Sequence, residues 1–439
     1  MKLNRIFVFM ALAGLTTSAF ATNGYFSHGY GMKAKGRAGA SIAFNDDTFG
    51  GANNPAAMGF AGDRWDIGVD LFSPHRSAER TDTPGAPVFD VSVDSDSDYF
   101  LIPEFGFNKM MNPDLALGVS VYGNGGMNTN YPGGQIPAGA CTGFGNPGTG
   151  NLLCGSGKLG VDLMQLVIAP TLAYKVAPNH SIGIAPLIGY QRFKAEGIQP
   201  FAGFSTSPAN VSNKDYDDSF GYGVRVGYQG KITPTVTIGA VYASKMNFDE
   251  LSKYKGLFAQ QGDFDIPENF GAGVAWQATP QLLLALDYMR INYSGVDSIA
   301  NPQDNLLACM GGDFSQCLGG NKGAGFGWSD INIWKLGAEY RVNKQWLVRG
   351  GWNHGDNPIS GSDVTFNILA PGVVQDNITL GFTYTTAGGG ELTVAGMYAL
   401  ENSVSGSSFL SNFGPPFTTS QEEIKMYQYS IGVAYGAKF

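Results

Sequence analysis

Tyr427, Tyr429, Ile431, Val433, Tyr435, Ala437 and Phe439 alternate along the chain with Gln428, Ser430, Gly432, Ala434 and Gly436. A period of two places the two sets on opposite faces of a β-strand, one apolar and the other small or polar. Fourteen segments carry this pattern, near 64–72, 99–108, 115–123, 162–175, 181–193, 219–229, 235–246, 269–277, 282–293, 331–341, 345–353, 377–385, 391–401 and 426–439. The linkers between them alternate in length. Short turns such as Val176–His180 and Val342–Lys344 follow long stretches near 73–98, 124–161, 194–218, 247–268, 294–330, 354–376 and 402–425. An even number of strands with alternating short and long connections predicts an all-β fold, a 14-stranded antiparallel transmembrane β-barrel. Short turns are expected on the periplasmic side with both chain ends, and long loops outside.

A soluble β-sandwich would also alternate, but it would show water one charged face per sheet. Here the apolar faces, such as Leu282/Leu284/Leu286 and Trp334/Leu336/Ala338/Tyr340, run the full length of their strands. Composition agrees: 63 Gly, 29 Phe and 20 Tyr stand beside only 14% charged residues, where a soluble domain carries about a quarter. Residues 1–21 read as a signal peptide. Lys2 and Arg5 precede the apolar run Ile6–Leu15, and Ala19-Phe20-Ala21 supplies a small-x-small cleavage site. The mature chain would then begin at Thr22, and the formal charge of −9 would become −11 as Lys2 and Arg5 leave. An acidic balance argues against nucleic acid as a partner.

Residues 22–63 precede the first strand, are rich in Gly, Ala and Asn, and do not alternate. A barrel of this size has an interior too wide for side chains alone to fill, so this segment is expected to fold back as a plug. Strand parity points Asp66, Asp70, Glu104, Arg225, Lys245, Asp287, Lys335, Glu339, Arg349 and Glu391 into the lumen. Buried charges need partners, so most of them should hold the plug to the wall. Arg225, Lys245 and Arg349 are also candidates to receive a carboxylate headgroup.

In the linker 247–268, Leu251, Tyr254, Leu257 and Phe258 recur at helical spacing after Asp249, a candidate N-cap. With Phe248, and with Phe201 and Phe204 of the preceding long linker, they form a candidate capture surface for greasy molecules, or they pack the loops on one another. The four cysteines form two local pairs in Gly/Asn-rich loops, Cys141 with Cys154 and Cys309 with Cys317. In an exported chain these are read as disulfides and not as metal ligands. The histidines are isolated and Gly145–Gly150 lacks the lysine and the strand–helix context of a phosphate loop. No enzyme, cofactor or metal is expected.

Several stretches resemble the outer-membrane long-chain fatty acid and toluene transporter family. They are Ser27-His28-Gly29-Tyr30-Gly31, Gly36-Arg37-Ala38-Gly39-Ala40, Asn54-Pro55-Ala56, Tyr242-Ala243-Ser244-Lys245-Met246, Leu286-Asp287-Tyr288, Gly337-Ala338-Glu339-Tyr340-Arg341 and the terminal Phe439. The resemblance implies a hatch over 22–63 with Asn54, Pro55 and Ala56 deep within it, a barrel over 64–439, and a sideways exit near a kinked third strand, here 115–123 with Gly118 as a candidate weak point. Asn54 by itself reads as a turn former. The resemblance further implies passive transport of hydrophobic molecules, long-chain fatty acids first and aromatic or aliphatic hydrocarbons as the alternative. A general porin for small polar solutes is the third reading, and the leader speaks against it. Expected partners are the hydrophobic cargo, outer-membrane lipids and, during biogenesis, the barrel assembly machinery. A closed barrel satisfies its own edges, so a monomer is expected.

Overall fold

The computed structural model describes residues 23–439; the signal segment read at 1–21 lies outside them. Sixteen strands form one sheet, and fourteen of them close into a barrel by pairing of the last strand, β16 (Gln421–Lys438), with the first, β1 (Arg64–Thr81). Between these run β3 (Phe100–Met110), β4 (Leu115–Asn128), β5 (Gly160–Ala177), β6 (His180–Glu196), β7 (Asp217–Lys231), β8 (Val236–Ala243), β10 (Asn269–Gln277), β11 (Leu282–Ile291), β12 (Ile331–Arg341), β13 (Trp346–Gly355), β14 (Asp376–Thr385) and β15 (Glu391–Ser407). Two short ribbons, β2 (Val91–Asp94) and β9 (Asn247–Phe248), pair with β1 and β7 beside the wall. Every wall pair is antiparallel, and all but the closing β1–β16 pair join strands that follow one another around the wall. All fourteen expected segments are wall strands.

Alternation has the expected consequence. On β16, Tyr429, Ile431, Val433 and Tyr435 are exposed, while Gln428, Ser430 and Gly432 are buried. Leu286, Trp334, Leu336 and Tyr340 likewise stand on the outer face. No helix among the described residues is long and apolar enough to cross a membrane. Crossing falls to the strands, whose backbone bonds close around the ring.

The wall is uneven in height. β1, β5, β6, β15 and β16 run to 17 or 18 residues, against 8 to 11 for β8 and β10–β14. Their extra length lies at the loop end, as in Ser73–Thr81, which sequence alternation missed. Over the low side the loops 294–330 and 354–376 fold into short helical turns and close the top.

Candidate functional site

Residues 23–61 lie inside the barrel and are almost wholly buried. The charges that parity aimed inward meet them. Glu339 accepts from Arg37 at 2.8 Å and from Arg349 at 2.8 Å, and Arg349 also reaches Thr383. Lys33 lies 2.7 Å from Glu391 and 3.0 Å from Asp46, and Lys35 lies 2.5 Å from Asp70. Arg64 of β1 reaches Asp66 and Glu391 at 2.6 and 3.0 Å, and backbone amides of the plug supply further donors. Ser41 and Ile42 donate to Asp287 at 2.6 and 2.8 Å, Gly31 and Met32 donate to Glu104, and Thr48 donates to Asp66. Lys335 donates to the His28 carbonyl at 2.9 Å. Backbone N–H groups that donate to a carboxylate form charge-assisted hydrogen bonds, so the plug is held by its main chain as well as by its lysines and arginines.

Asn54 is fully buried. Its side-chain amide donates to Ile42 O at 2.7 Å and to Tyr228 O of β7 at 2.9 Å, while its Oδ1 accepts from Ala56 N. The Asn54-Pro55-Ala56 turn presses so closely on the wall that a Cβ on Gly227 would stand 2.0 Å from Asn54 Oδ1, and one on Gly183 would stand 2.4 Å from Ala56 N. Asn54 is thus both the turn former its sequence suggested and a tie between plug and wall.

The three candidate headgroup residues part company. Arg349 is committed to Glu339. Lys245 does not face the lumen, because β8 ends at Ala243; it is more than one-third exposed and pairs with Asp265 at 2.7 Å. Arg225 is buried, and its guanidinium donates to two neutral acceptors, Gly51 O at 2.9 Å and Tyr122 Oη at 3.0 Å. It borders a small inner cavity with Tyr30, Ala52, Met289 and Lys335.

Above the plug, the expected helix after Asp249 is replaced by one 3-10 turn at Ser252–Tyr254 and a kinked turn at Ala259–Gly262, in which Gln260 and Gln261 adopt positive φ. Leu251, Tyr254 and Phe258 are therefore buried among loops and do not line an open surface. Tyr254 and Phe258 pack on Phe193 at 4.9 and 4.7 Å, and Phe258 packs on Phe264 at 4.8 Å. Tyr254 Oη accepts from Ala195 N and donates to Asp215 O. Phe248 is buried against Gly189 and Gly221 of the wall.

Beside this cluster lies a cavity of about 40 Å³ in which the loops converge. Its walls include Phe193, Phe201, Phe258, Phe326 and Phe366, with Leu257 and Leu369, and no charged side chain lines it. Of the candidate capture residues, Phe201, Leu257 and Phe258 line this cavity. Phe204 sits next to it, 5.9 Å from Phe413. Phe326, Phe366 and Leu369 come from loops without any period, so only the fold could bring them in. Both cysteine pairs are bonded, with Cα–Cα separations of 5.4 and 4.8 Å. They anchor the cavity residues Leu153 and Leu318, each adjacent in sequence to a bonded cysteine.

The wall itself is incomplete beside β4. That strand pairs with β3 only up to Val121 opposite Phe105; beyond this it leaves β3 and bulges between Gly123 and Gly125. Gly118, by contrast, is paired on both sides. The plug fills the departure, since Phe26 bridges Gly125 and Gly126 N donates to Tyr25 O.

A fourteen-stranded barrel with this plug matches a family model, Outer membrane protein transport protein (OMPP1/FadL/TodX), over residues 12–409. The chain belongs to that family. Its members pass hydrophobic small molecules passively through an outer-membrane barrel and are not enzymes. Solved structures agree on the fold. The Pseudomonas putida toluene transporter TodX is similar over 95% of this chain and 100% of its own, at 16% identity and a TM-score of 0.67. The Ralstonia pickettii toluene transporter TbuX covers 94% and 99%, at 17% identity and a TM-score of 0.60. A Pseudomonas aeruginosa FadL homologue covers 95% and 100%, at 15% identity and a TM-score of 0.65. No curated protein matches the chain.

Proposed function

We propose that this channel carries small neutral hydrocarbons, monoaromatic rings first among them, in preference to long-chain fatty acids. The observation that carries this reading is the phenylalanine-lined cavity among the loops, which offers no charged group to a carboxylate. Burying an apolar molecule there gains roughly 25 cal/mol per Å² of surface removed from water, and aromatic rings add favourable edge-to-face contacts with Phe side chains. A fatty acid would have to leave its charge unpaired in the same place, a large cost. The toluene transporters that share the fold support the same choice of cargo class. In this reading the loops at the phenylalanine cavity lie outside the cell, the signal segment 1–21 directs export, and residues 22–63 act as the gate that cargo must displace.

Fatty acids are the second reading, favoured by Arg225, a buried cation that meets only neutral acceptors beside the inner cavity. The test is uptake of labelled toluene and labelled oleate by cells that lack channels of their own, with folded barrel held equal. Toluene uptake that depends on this chain and falls in Phe258→Asp supports the hydrocarbon reading. Oleate uptake that is lost in Arg225→Gln, with toluene uptake absent, would replace it with the fatty acid one.

A further inference from the structure

The two rims of the barrel differ in how their charges are answered. At the loop ends of the strands, Lys194 lies 2.9 Å from Glu196, Lys425 lies 2.9 Å from Glu423 and Arg290 lies 2.8 Å from Asp330. At the turn ends, Lys231, Arg341, Lys344 and Lys438 are exposed, and none of them forms an ion pair with a described residue; Lys109 has one, with Asp63 at 2.9 Å. Counting Lys109 and Lys175, six basic side chains stand at this rim against Asp63 and Asp114, although the whole chain is acidic at a formal −9. The free cations lie just beyond exposed rings of the outer face, Tyr174, Trp276 and Trp346. Aromatic side chains at a barrel's edge mark the membrane interface, so cations beyond them sit at the height of lipid headgroups.

Next to Lys231 the lipid-facing wall is hollowed. An apolar groove of about 560 Å³ crosses β5–β8 between Tyr174, Ile182, Val226, Tyr228 and Tyr242. Its floor drops at Ala240, which stands opposite Tyr228 in the β7–β8 register and has nothing beyond Cβ to match that ring. Behind the floor, Gly183 and Gly227 face each other across β6 and β7 and meet the Asn54-Pro55-Ala56 turn, so this stretch of wall is fixed from within. Polar groups gather at the groove's turn end. His180 Nδ1 is 2.7 Å from Tyr228 Oη, and Lys231 N donates to Asn179 O at 2.8 Å, which sets the lysine beside the His180 turn. In the tautomer in which Tyr228 donates to Nδ1, the Nε2–H of His180 is left to donate elsewhere.

We infer that the β5–β8 face is a seat for an anionic phospholipid of the leaflet on the turn side, with an acyl chain in the groove and the phosphate at Lys231 and His180. A chain in the groove removes apolar surface from contact with mobile lipid, and a phosphate forms charge-assisted hydrogen bonds with a lysine that has no carboxylate of its own. A neutral hydrocarbon would leave that lysine unused, and lipids of the other leaflet meet cations already paired. The inference is independent of which cargo the channel carries. For its test, the intact barrel is purified in a non-ionic detergent, titrated with phosphatidylglycerol or with phosphatidylethanolamine of the same chains, and its bound lipid is counted by native mass spectrometry. One phosphatidylglycerol should be retained about tenfold more tightly than phosphatidylethanolamine. Lys231→Glu, at an exposed turn position, should abolish that preference, whereas Lys344→Glu on the β12–β13 turn should leave it unchanged. Ala240→Trp fills the groove and should weaken retention of both lipids; Ala240→Leu gives the same reading at smaller amplitude if the tryptophan variant does not fold. Equal retention of the two lipids, or a loss in Lys344→Glu as large as in Lys231→Glu, would overturn the seat. Retention of lipid A more tightly than phosphatidylglycerol, and its loss in Lys231→Glu, would overturn the assignment to the turn-side leaflet.

Discussion

Inside the barrel, residues 23–61 meet the wall through charges and backbone amides, whereas above them the loops meet one another through rings and aliphatic side chains. Glu339 holds Arg37 and Arg349 at the first contact; Phe193, Tyr254, Phe258 and Phe264 interlock at the second. A polar contact is directional and all-or-none, because a buried charge that loses its partner is costly. An apolar contact is tolerant of small shifts and admits another apolar molecule in place of a neighbour. The difference suits the plug to sitting in one register and, under the proposed function, the cap to admitting a greasy molecule.

Removing one side of the polar contact should have the largest effect. Glu339→Gln takes the nearest carboxylate from Arg37 and Arg349, leaving them Asp46 at 3.4 and 3.8 Å, and should cost about 4 kcal/mol, read as a lower urea midpoint for loss of the folded barrel. Leu251→Ala, in the fully buried heart of the cap, should cost about 3 kcal/mol through a cavity that the loops only partly collapse into. Limited proteolysis would place that loss in the loops, with the wall left intact. Equal sensitivity of plug and cap to protease in both variants would erase the contrast.

A smaller effect should depend on pH. Burial, reinforced by the neighbouring Asp265, pushes the Asp263 carboxyl in the cap up to about 7. Its ordinary value is about 4, so the folded cap binds this proton more readily than the unfolded chain does. Its contribution is complete below about pH 4 and is lost as pH rises toward about 7, amounting to about 1 kcal/mol once screening of this partly exposed group is allowed for. Protease resistance of the loops measured from pH 4 to 8 should decline upward, and Asp263→Asn should flatten the curve. The smallest effect is expected at Lys194, whose partner Glu196 is half-exposed at the end of β6. Lys194→Ala should change the urea midpoint by no more than about 0.5 kcal/mol equivalent.

The wall was legible in the sequence wherever one face meets lipid and the other the lumen. Ser73–Thr81 of β1 escaped because His75, Arg76, Glu79 and Arg80 stand beyond the apolar band, where neither face has to be greasy and alternation fades. Lys245 was assigned to the lumen by counting past the end of β8; the chain stays beside β7, but one extra residue between Ser244, bonded to Val224, and Asn247, opposite Tyr222, breaks the alternation. The helix expected after Asp249 failed for a related reason: Leu251, Tyr254, Leu257 and Phe258 have helical spacing, but Tyr254 and Phe258 pack on Phe193 and Leu257 turns to the loop cavity, and packing overrode local propensity.

By itself the sequence determined what is periodic or local: fourteen strands and their order, the turn ends and loop ends, the inward charges apart from Lys245, the Asn54 turn and the pairing of the cysteines. Each follows from a short stretch of chain facing two environments at once. Which inward carboxylate takes which plug amide, which loops supply the phenylalanines of the cavity, and that Ala240 stands opposite Tyr228 were decided only by the tertiary structure. Those facts depend on register between strands and on contacts between residues far apart in the chain, and side-chain periodicity along one strand carries no information about either.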